Sequence, residues 1–121
     1  MDKNSGIQQR TFDFSVSLAR FCKRSSRNLV ADILIRQLLK AGTSVGANVH
    51  EAQGAQSKAD FIAKISIAHK EIQETLYWLK LVEIVETVKY PEMKTLLQES
   101  TEIRKIIASI LLTAKNGRPK V

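Results

Sequence analysis

Apolar residues recur every three or four positions along most of the chain, which is the spacing of one face of an α-helix. The pattern predicts four helices, over about residues 7–24, 29–53, 58–88 and 91–115. The third has the most regular apolar seam: Phe61, Ile65, Ala68, Ile72, Thr75, Leu79 and Val82. The seam of the first is Phe14, Leu18 and Phe21, and that of the fourth is Met93, Leu97, Ser100, Ile103, Ile107, Ile110 and Ala114. Steps that alternate between four and three residues are typical of left-handed helix packing.

Polar and helix-breaking residues mark the boundaries between the predicted helices. Residues 25–28 are polar and include residue types that cap helix N-termini. Ser57, followed three residues later by Asp60, resembles a capping box and predicts the start of the third helix. Pro91 suits the first turn of the fourth, which Asn116-Gly117 ends before a basic tail over 116–121. Because short connections make consecutive helices antiparallel, the sequence predicts one all-α domain over residues 1–121, an up-down-up-down antiparallel four-helix bundle.

The predicted second helix contains an unusual run of small residues. Gly42 and Gly46 lie one turn apart on the same face, and each should cost about 1 kcal/mol relative to alanine. Two interpretations are open. The glycines let another helix of the same chain pack closely, or Thr43, Ser44 and Asn48 form a polar groove or an interface.

Composition narrows the class of protein. Of the 121 residues, 44% are hydrophobic and 26% are charged, as in an ordinary globular domain. The single cysteine, Cys22, cannot form an intrachain disulfide and is predicted to be buried. The N-terminus is polar, and no apolar run approaches the ~18 residues of a membrane span. We therefore expect a cytoplasmic protein without membrane contact.

The sequence contains no pattern typical of catalysis or metal binding. A di-iron bundle uses Glu-x-x-His pairs, whereas alanine and serine stand three residues before His50 and His69. One cysteine and two distant histidines are too few for a structural zinc site. The glycine-rich stretch lacks the Lys-Ser/Thr end of a phosphate-binding loop. We therefore expect a non-enzymatic protein with no cofactor and no metal.

The net charge of +7 is concentrated at the two ends of the chain. Residues 1–28 carry +4 and residues 91–121 carry +3, while the middle is neutral. Because the first and last helices are neighbours in an up-down bundle, their basic residues are predicted to form a phosphate-binding surface. Its members are Arg20, Lys23, Arg24, Arg27, Arg104, Lys105, Lys115, Arg118 and Lys120. Favourable interaction with helix dipoles is a competing explanation for Lys23, Arg24 and Lys115.

The end of the third helix has more apolar residues than one bundle seam requires. Residues 76–85 are apolar at all but two positions, whereas a seam uses about three in seven. The excess either contacts a second subunit or overfills a core centred on Trp78. Tyr77 and Trp78 belong to the residue types enriched at the centres of interfaces.

The preceding turn of the same helix is polar. Lys70 and Glu74 have the spacing of a helical ion pair. Alternatively, Glu71 and Glu74 could meet polar atoms of the second helix, such as Asn48. Two carboxylates could also perform acid–base chemistry, but the sequence contains no second pair to support that interpretation.

Several segments in order, over about residues 36–82, resemble the signature of one bacterial family. They are Gln37-Leu38-Leu39-Lys40-Ala41-Gly42-Thr43-Ser44-Val45-Gly46-Ala47-Asn48, Glu51-Ala52, Ser57, Asp60-Phe61, Lys64, Ile67-Ala68, Lys70-Glu71, Glu74 and Tyr77-Trp78-Leu79. The family consists of four-helix-bundle proteins encoded by intervening sequences within large-subunit ribosomal RNA genes. His50 stands where the family commonly has an arginine, which removes a charge at that position.

The resemblance implies a non-enzymatic bundle that assembles as a ring-shaped homopentamer. It also suggests kinship with the accessory protein of diversity-generating retroelements, a basic pentamer that binds nucleic acid and its reverse transcriptase. The matching residues predicted to serve the fold or a subunit interface are Gly42, Thr43, Ser44, Gly46, Asn48, Glu51, Lys70, Glu71, Glu74, Tyr77 and Trp78.

Two functions from different classes follow from these observations. The first is a basic, oligomeric scaffold that binds RNA or DNA through phosphate contacts, because few aromatic residues lie among the basic ones. The second is an adaptor that docks a partner protein such as a nucleic-acid enzyme. Binding to phosphates weakens steeply with salt, whereas docking through an apolar surface does not.

Overall fold

A computed structural model of the protein describes residues 3–25, 28–86 and 89–117. These ranges contain four helices and no strand: α1 Lys3–Arg24, α2 Leu29–Gln53, α3 Lys58–Val85 and α4 Glu92–Lys115. Each helix packs against the next, α1 also packs against α4, and among the described residues the backbones of diagonal helices do not approach each other. The predicted all-α four-helix bundle is therefore confirmed.

Ion pairs show that neighbouring helices run antiparallel. Glu51, near the end of α2, lies 3.0 Å from the Lys64 ammonium near the start of α3. Arg24, the last residue of α1, pairs with Glu92, the first of α4. Both pairs join the end of one helix to the start of another.

Side-chain caps set the starts of the two central helices. The Asn28 side chain accepts a hydrogen bond from the Ala31 amide at 2.9 Å, before α2. The Ser57 hydroxyl accepts one from the Asp60 amide at 3.0 Å, as the capping-box pattern predicts. The Asp60 carboxylate accepts from the Gln56 amide, one residue earlier than in a standard box.

The ends of the helices differ from the predicted boundaries in three places. Helix α1 begins at Lys3 rather than residue 7, and α4 begins at Glu92 rather than residue 91. Helix α3 ends at Val85 rather than residue 88, because Glu86 is extended with φ −72° and ψ 131°. Residues 85, 87 and 88 are β-branched, a residue class with weaker helix propensity. Positions 87–88 themselves lie outside the described residues.

The core consists of the predicted seams, except that Phe61 at the start of the α3 seam and Leu97 and Ala114 in the α4 seam are only half-buried. Phe14, Leu18 and Phe21 are buried, as is the α3 seam from Ile65 onwards. In α4 it is Leu96, 3% exposed, that lies in the core, whereas Leu97 is only half-buried. Either leucine keeps a spacing of three or four from its buried neighbours, so the sequence pattern alone does not separate them.

Cys22 is buried against this core, as predicted. Burial raises the pKa of its thiol to about 11. The thiolate is the nucleophilic form of cysteine, so this side chain is mostly in its unreactive form at neutral pH.

Candidate nucleic-acid interface

The glycines of α2 allow close packing within the chain. A Cβ atom at Gly42 would overlap the side chain of Leu18 in α1. One at Gly46 would lie 3.2 Å from the Thr11 carbonyl oxygen and 3.3 Å from the Ser15 hydroxyl. Of the two interpretations of this stretch, tight intrachain packing therefore accounts for both glycines.

The polar residues between the glycines bond mainly to their own helix. The Thr43 and Ser44 hydroxyls donate to the carbonyls of Leu39 and Lys40, each at 2.7 Å. The Asn48 amide donates to the Ser44 carbonyl at 2.9 Å. These bonds leave the two hydroxyl oxygens able to accept, but not donate, in a further contact.

Opposite charges line the boundary between α1 and α4. Arg10 makes two hydrogen bonds to the Glu99 carboxylate, at 2.7 and 2.9 Å, which raise the pKa of the guanidinium. Arg24 pairs with Glu92. Lys105 lies 3.6 Å from Glu102 on α4. The structure therefore places two residues of the predicted phosphate surface, Arg24 and Lys105, beside carboxylates.

Of the remaining predicted cations, Arg104 and Lys115 lie on α4. Arg104 lies two residues from Glu102, so the two side chains leave α4 about 200° apart. Lys115 follows Arg104 by eleven residues, close to three turns, and shares its side of α4. Arg27, Arg118 and Lys120 lie outside the described residues.

A cleft with basic residues lies between α1 and α2. Lys23 from α1 and Arg36 from α2 line it together with Asp32, and its apolar lining comprises Ala19, Cys22, Ile35 and Leu39. Arg20 is exposed on α1, three residues before Lys23. Within the described part of the chain, neither Lys23, Arg36 nor Arg20 lies within ion-pair distance of a carboxylate.

Arg36 is absent from the predicted phosphate surface, because residues 29–57 have no net charge. Asp32 and Glu51 cancel Arg36 and Lys40 within residues 29–57. The helical spacing contained a usable signal, since Arg36 and Lys40 are one turn apart on α2.

A second, wider groove of about 660 Å³ lies between the same two helices. Its lining carries no ionised acid, lysine or arginine and comprises Gln8, Gln9, Phe12, Ser15, Thr43, Gly46, Ala47 and His50. The Gln8 side-chain nitrogen lies 2.8 Å from His50 Nδ1, which joins the two walls. Phe12 is 63% exposed, an unusual position for a phenylalanine.

Most of the exposed large apolar side chains lie on α2 and α3. We call this set the α2–α3 apolar surface: Leu29, Val30, Ile33, Ile67, Tyr77, Ile84 and Val85. Tyr77 is 59% exposed and packs edge-on against Trp78, with ring centroids 5.0 Å apart. The half-buried Trp78 donates from its indole nitrogen to Glu74 at 3.2 Å.

The polar turn of α3 that contains Lys70, Glu71 and Glu74 makes other contacts than those predicted from the sequence. Glu74 bonds to Trp78, and Asn48 bonds within α2. Among the described residues, the structure contains neither an Asn48 bond to Glu71 or Glu74 nor a Lys70–Glu74 ion pair. Of the described motif acids Glu51, Glu71 and Glu74, it is Glu51 that bridges α2 and α3, by accepting a hydrogen bond from Lys64. This bond raises the pKa of the lysine.

No described helix has the length and apolar character needed to cross a bilayer. No cluster of three or more His, Cys, Asp or Glu side chains among these residues could hold a metal ion.

The chain is similar to one family model and to a solved structure. The model of the 23S rRNA-intervening sequence protein family matches residues 3–109. A crystal structure of a protein of unknown function, from the S23 ribosomal protein family of Bacteroides thetaiotaomicron, is 36% identical with a TM-score of 0.83. The match covers 93% of this chain and 100% of that one. No curated protein sequence matches significantly. The chain belongs to the 23S rRNA-intervening sequence protein family.

Proposed function

We propose that the protein is a non-enzymatic, basic, oligomeric scaffold that binds nucleic acid through its phosphates. The observation that supports this most directly is the cleft where Lys23 and Arg36 meet, with Arg20 beside it. Cations that are not in an ion pair can neutralise backbone phosphates without breaking one, and this releases the counterions condensed on the nucleic acid. Oligomerisation strengthens the field, since five copies of a +7 chain carry roughly +35.

The test is a salt titration of binding to RNA and DNA of mixed sequence. The triple variant Arg20→Glu, Lys23→Glu and Arg36→Glu should bind more weakly and with a flatter salt dependence. Each lost phosphate contact should reduce the log–log slope by about 0.7–0.9. The loss should be alike for all sequences, because phosphate contacts carry no sequence information.

A control of equal charge change separates a local surface from the overall charge. Lys80, Lys89 and Lys94 are exposed around the connection between α3 and α4, at the same end of the bundle as the cleft but outside its lining. Reversal of these three lysines to glutamate should leave most of the binding intact. Equal losses in both triple variants would contradict a cleft-centred surface, and absence of wild-type binding at low salt would overturn the proposal.

A protein-docking adaptor is the second candidate, and the α2–α3 apolar surface favours it. Exposed apolar side chains grouped on two helices are typical of protein interfaces. Binding of a partner protein through this surface would survive at high salt, where phosphate contacts weaken.

A further inference from the structure

We propose that the groove lined by Phe12 holds an unpaired nucleobase, so that the protein binds single-stranded nucleic acid in preference to duplex. This inference rests on the proposed nucleic-acid function and names its ligand class. It also revises the expectation that phosphate contacts act without base stacking. The groove and the basic cleft lie along one boundary, between α1 and α2.

The shape and size of the groove suit a base and its sugar. Its volume of about 660 Å³ is within the range of small-molecule sites. Gly46 and Ala47 leave room on the α2 side, and Phe12 presents its ring to solvent from α1. Every base has a π-face, so stacking on an exposed aromatic ring tolerates any sequence.

The rim of the groove can bond to the edge of a base. The hydroxyl hydrogens of Ser15 and Thr43 are engaged by carbonyls of their own helices, so the two oxygens remain as acceptors. In the tautomer of His50 whose Nδ1 accepts from Gln8, the hydrogen lies on Nε2, which can then donate to a base. Donors and acceptors on one rim match the mixed Watson–Crick edges that only unpaired bases expose.

The basic cleft continues the same boundary at a distance suited to the backbone. Phe12 and Lys23 are eleven residues apart on α1, about 16 Å along its axis. A strand with one base in the groove therefore reaches Lys23 and Arg36 within a few nucleotides. The groove is uncharged, whereas the cleft has two cations against one carboxylate, that of Asp32. This order matches the neutral base and anionic phosphate of a nucleotide, which favours nucleic acid over an apolar peptide.

The test compares a short single-stranded RNA of mixed sequence with the same RNA hybridised to its complement. We expect tighter binding of the single strand. Phe12→Ala should weaken that binding about tenfold and leave duplex binding unchanged, while Phe12→Trp should retain it. Leu112→Ala is the matched control, since Leu112 is an equally exposed side chain on α4 and should have no effect. A fluorescent purine analogue in the strand reports stacking directly through its quenching.

The outcomes separate this inference from the proposed function. If RNA binds but Phe12→Ala changes neither affinity nor quenching, the base site is wrong while phosphate binding stands. If no nucleic acid binds at low salt, both fail. If Phe12→Ala lowers the oligomeric mass in light scattering without a specific loss of single-strand binding, the groove is an interface between copies, and the inference is overturned.

Discussion

Gly42 and Gly46 occupy equivalent positions in the sequence pattern but differ in their surroundings. The space at Gly42 is filled by the tip of the fully buried Leu18 side chain, which must shift before a Cβ atom can fit there. At Gly46 the nearest atoms belong to the α1 backbone and to Ser15. A Cβ atom there would lie slightly closer to them than an ordinary van der Waals distance. The glycine spacing predicts close approach, but only coordinates identify the partner atoms.

This difference predicts the effect of single methyl groups. Gly42→Ala should destabilise the protein by about 1–3 kcal/mol, because the new Cβ overpacks the core at Leu18. Gly6→Ala is the control within a helix, since its Cβ would meet no atom within 4 Å. That change should stabilise α1 by about 0.5–1 kcal/mol. Urea unfolding of both variants measures the two free energies, and a stabilised Gly42→Ala protein would contradict the described packing.

Phe12 and Arg36 show which functional candidates a sequence pattern misses. Phe12 lies off the apolar seam of α1, and nothing in the periodicity says whether a neighbouring helix covers it. Arg36 becomes notable only when α2 packs beside Lys23. By contrast, the buried seams follow directly from spacing, because a helix face has a fixed period.

At the scale of elements, helix boundaries were predicted well where a capping side chain marks them. Asn28 and Ser57 have side chains that satisfy free amides, so their positions determine where α2 and α3 begin. The end of α3 has no glycine to mark it and depends on Glu86 leaving the helical conformation. Weak propensity over several residues produces a boundary that sequence alone locates only to within a few positions.

The Ser57 cap is the clearest element-scale prediction. Ser57→Ala should destabilise the protein by about 1 kcal/mol, because the Asp60 amide loses its acceptor at the start of α3. Ser17→Ala, an exposed change inside α1, is the control and should be neutral or slightly stabilising. The midpoints of denaturant unfolding measure both changes in stability, provided that the m-value is unchanged. Equal midpoints for the two variants would show that the cap contributes nothing.

For the whole molecule, three boundaries of the bundle have distinct chemistry. The α1–α4 boundary is closed by ion pairs such as Arg10–Glu99. The α1–α2 boundary carries a groove and a basic cleft. The α2–α3 apolar surface is exposed to solvent in the single chain. The three boundaries differ because each pair of neighbouring helices presents its own side to solvent.

The family resemblance implies a five-fold ring, and such a ring restricts which surface could contact the α2–α3 apolar surface. A ring with an odd number of copies cannot pair one patch with itself throughout, so its contacts must be head-to-tail. In such a ring the α2–α3 apolar surface of one copy packs against a different surface of the next.

Wild-type protein should be a homo-oligomer. The double variant Tyr77→Glu and Ile84→Glu should be a smaller species. The reason is that two carboxylates on the α2–α3 apolar surface would lose their hydration in the interface. Ile84 is 78% exposed in the single chain, so folding should survive, as a helical circular dichroism spectrum would show. Leu112→Glu, on α4, is the control and should keep the wild-type mass. Light scattering measures all three proteins. A monomeric wild type at micromolar concentration, or dissociation by Leu112→Glu alone, would contradict assembly through α2 and α3.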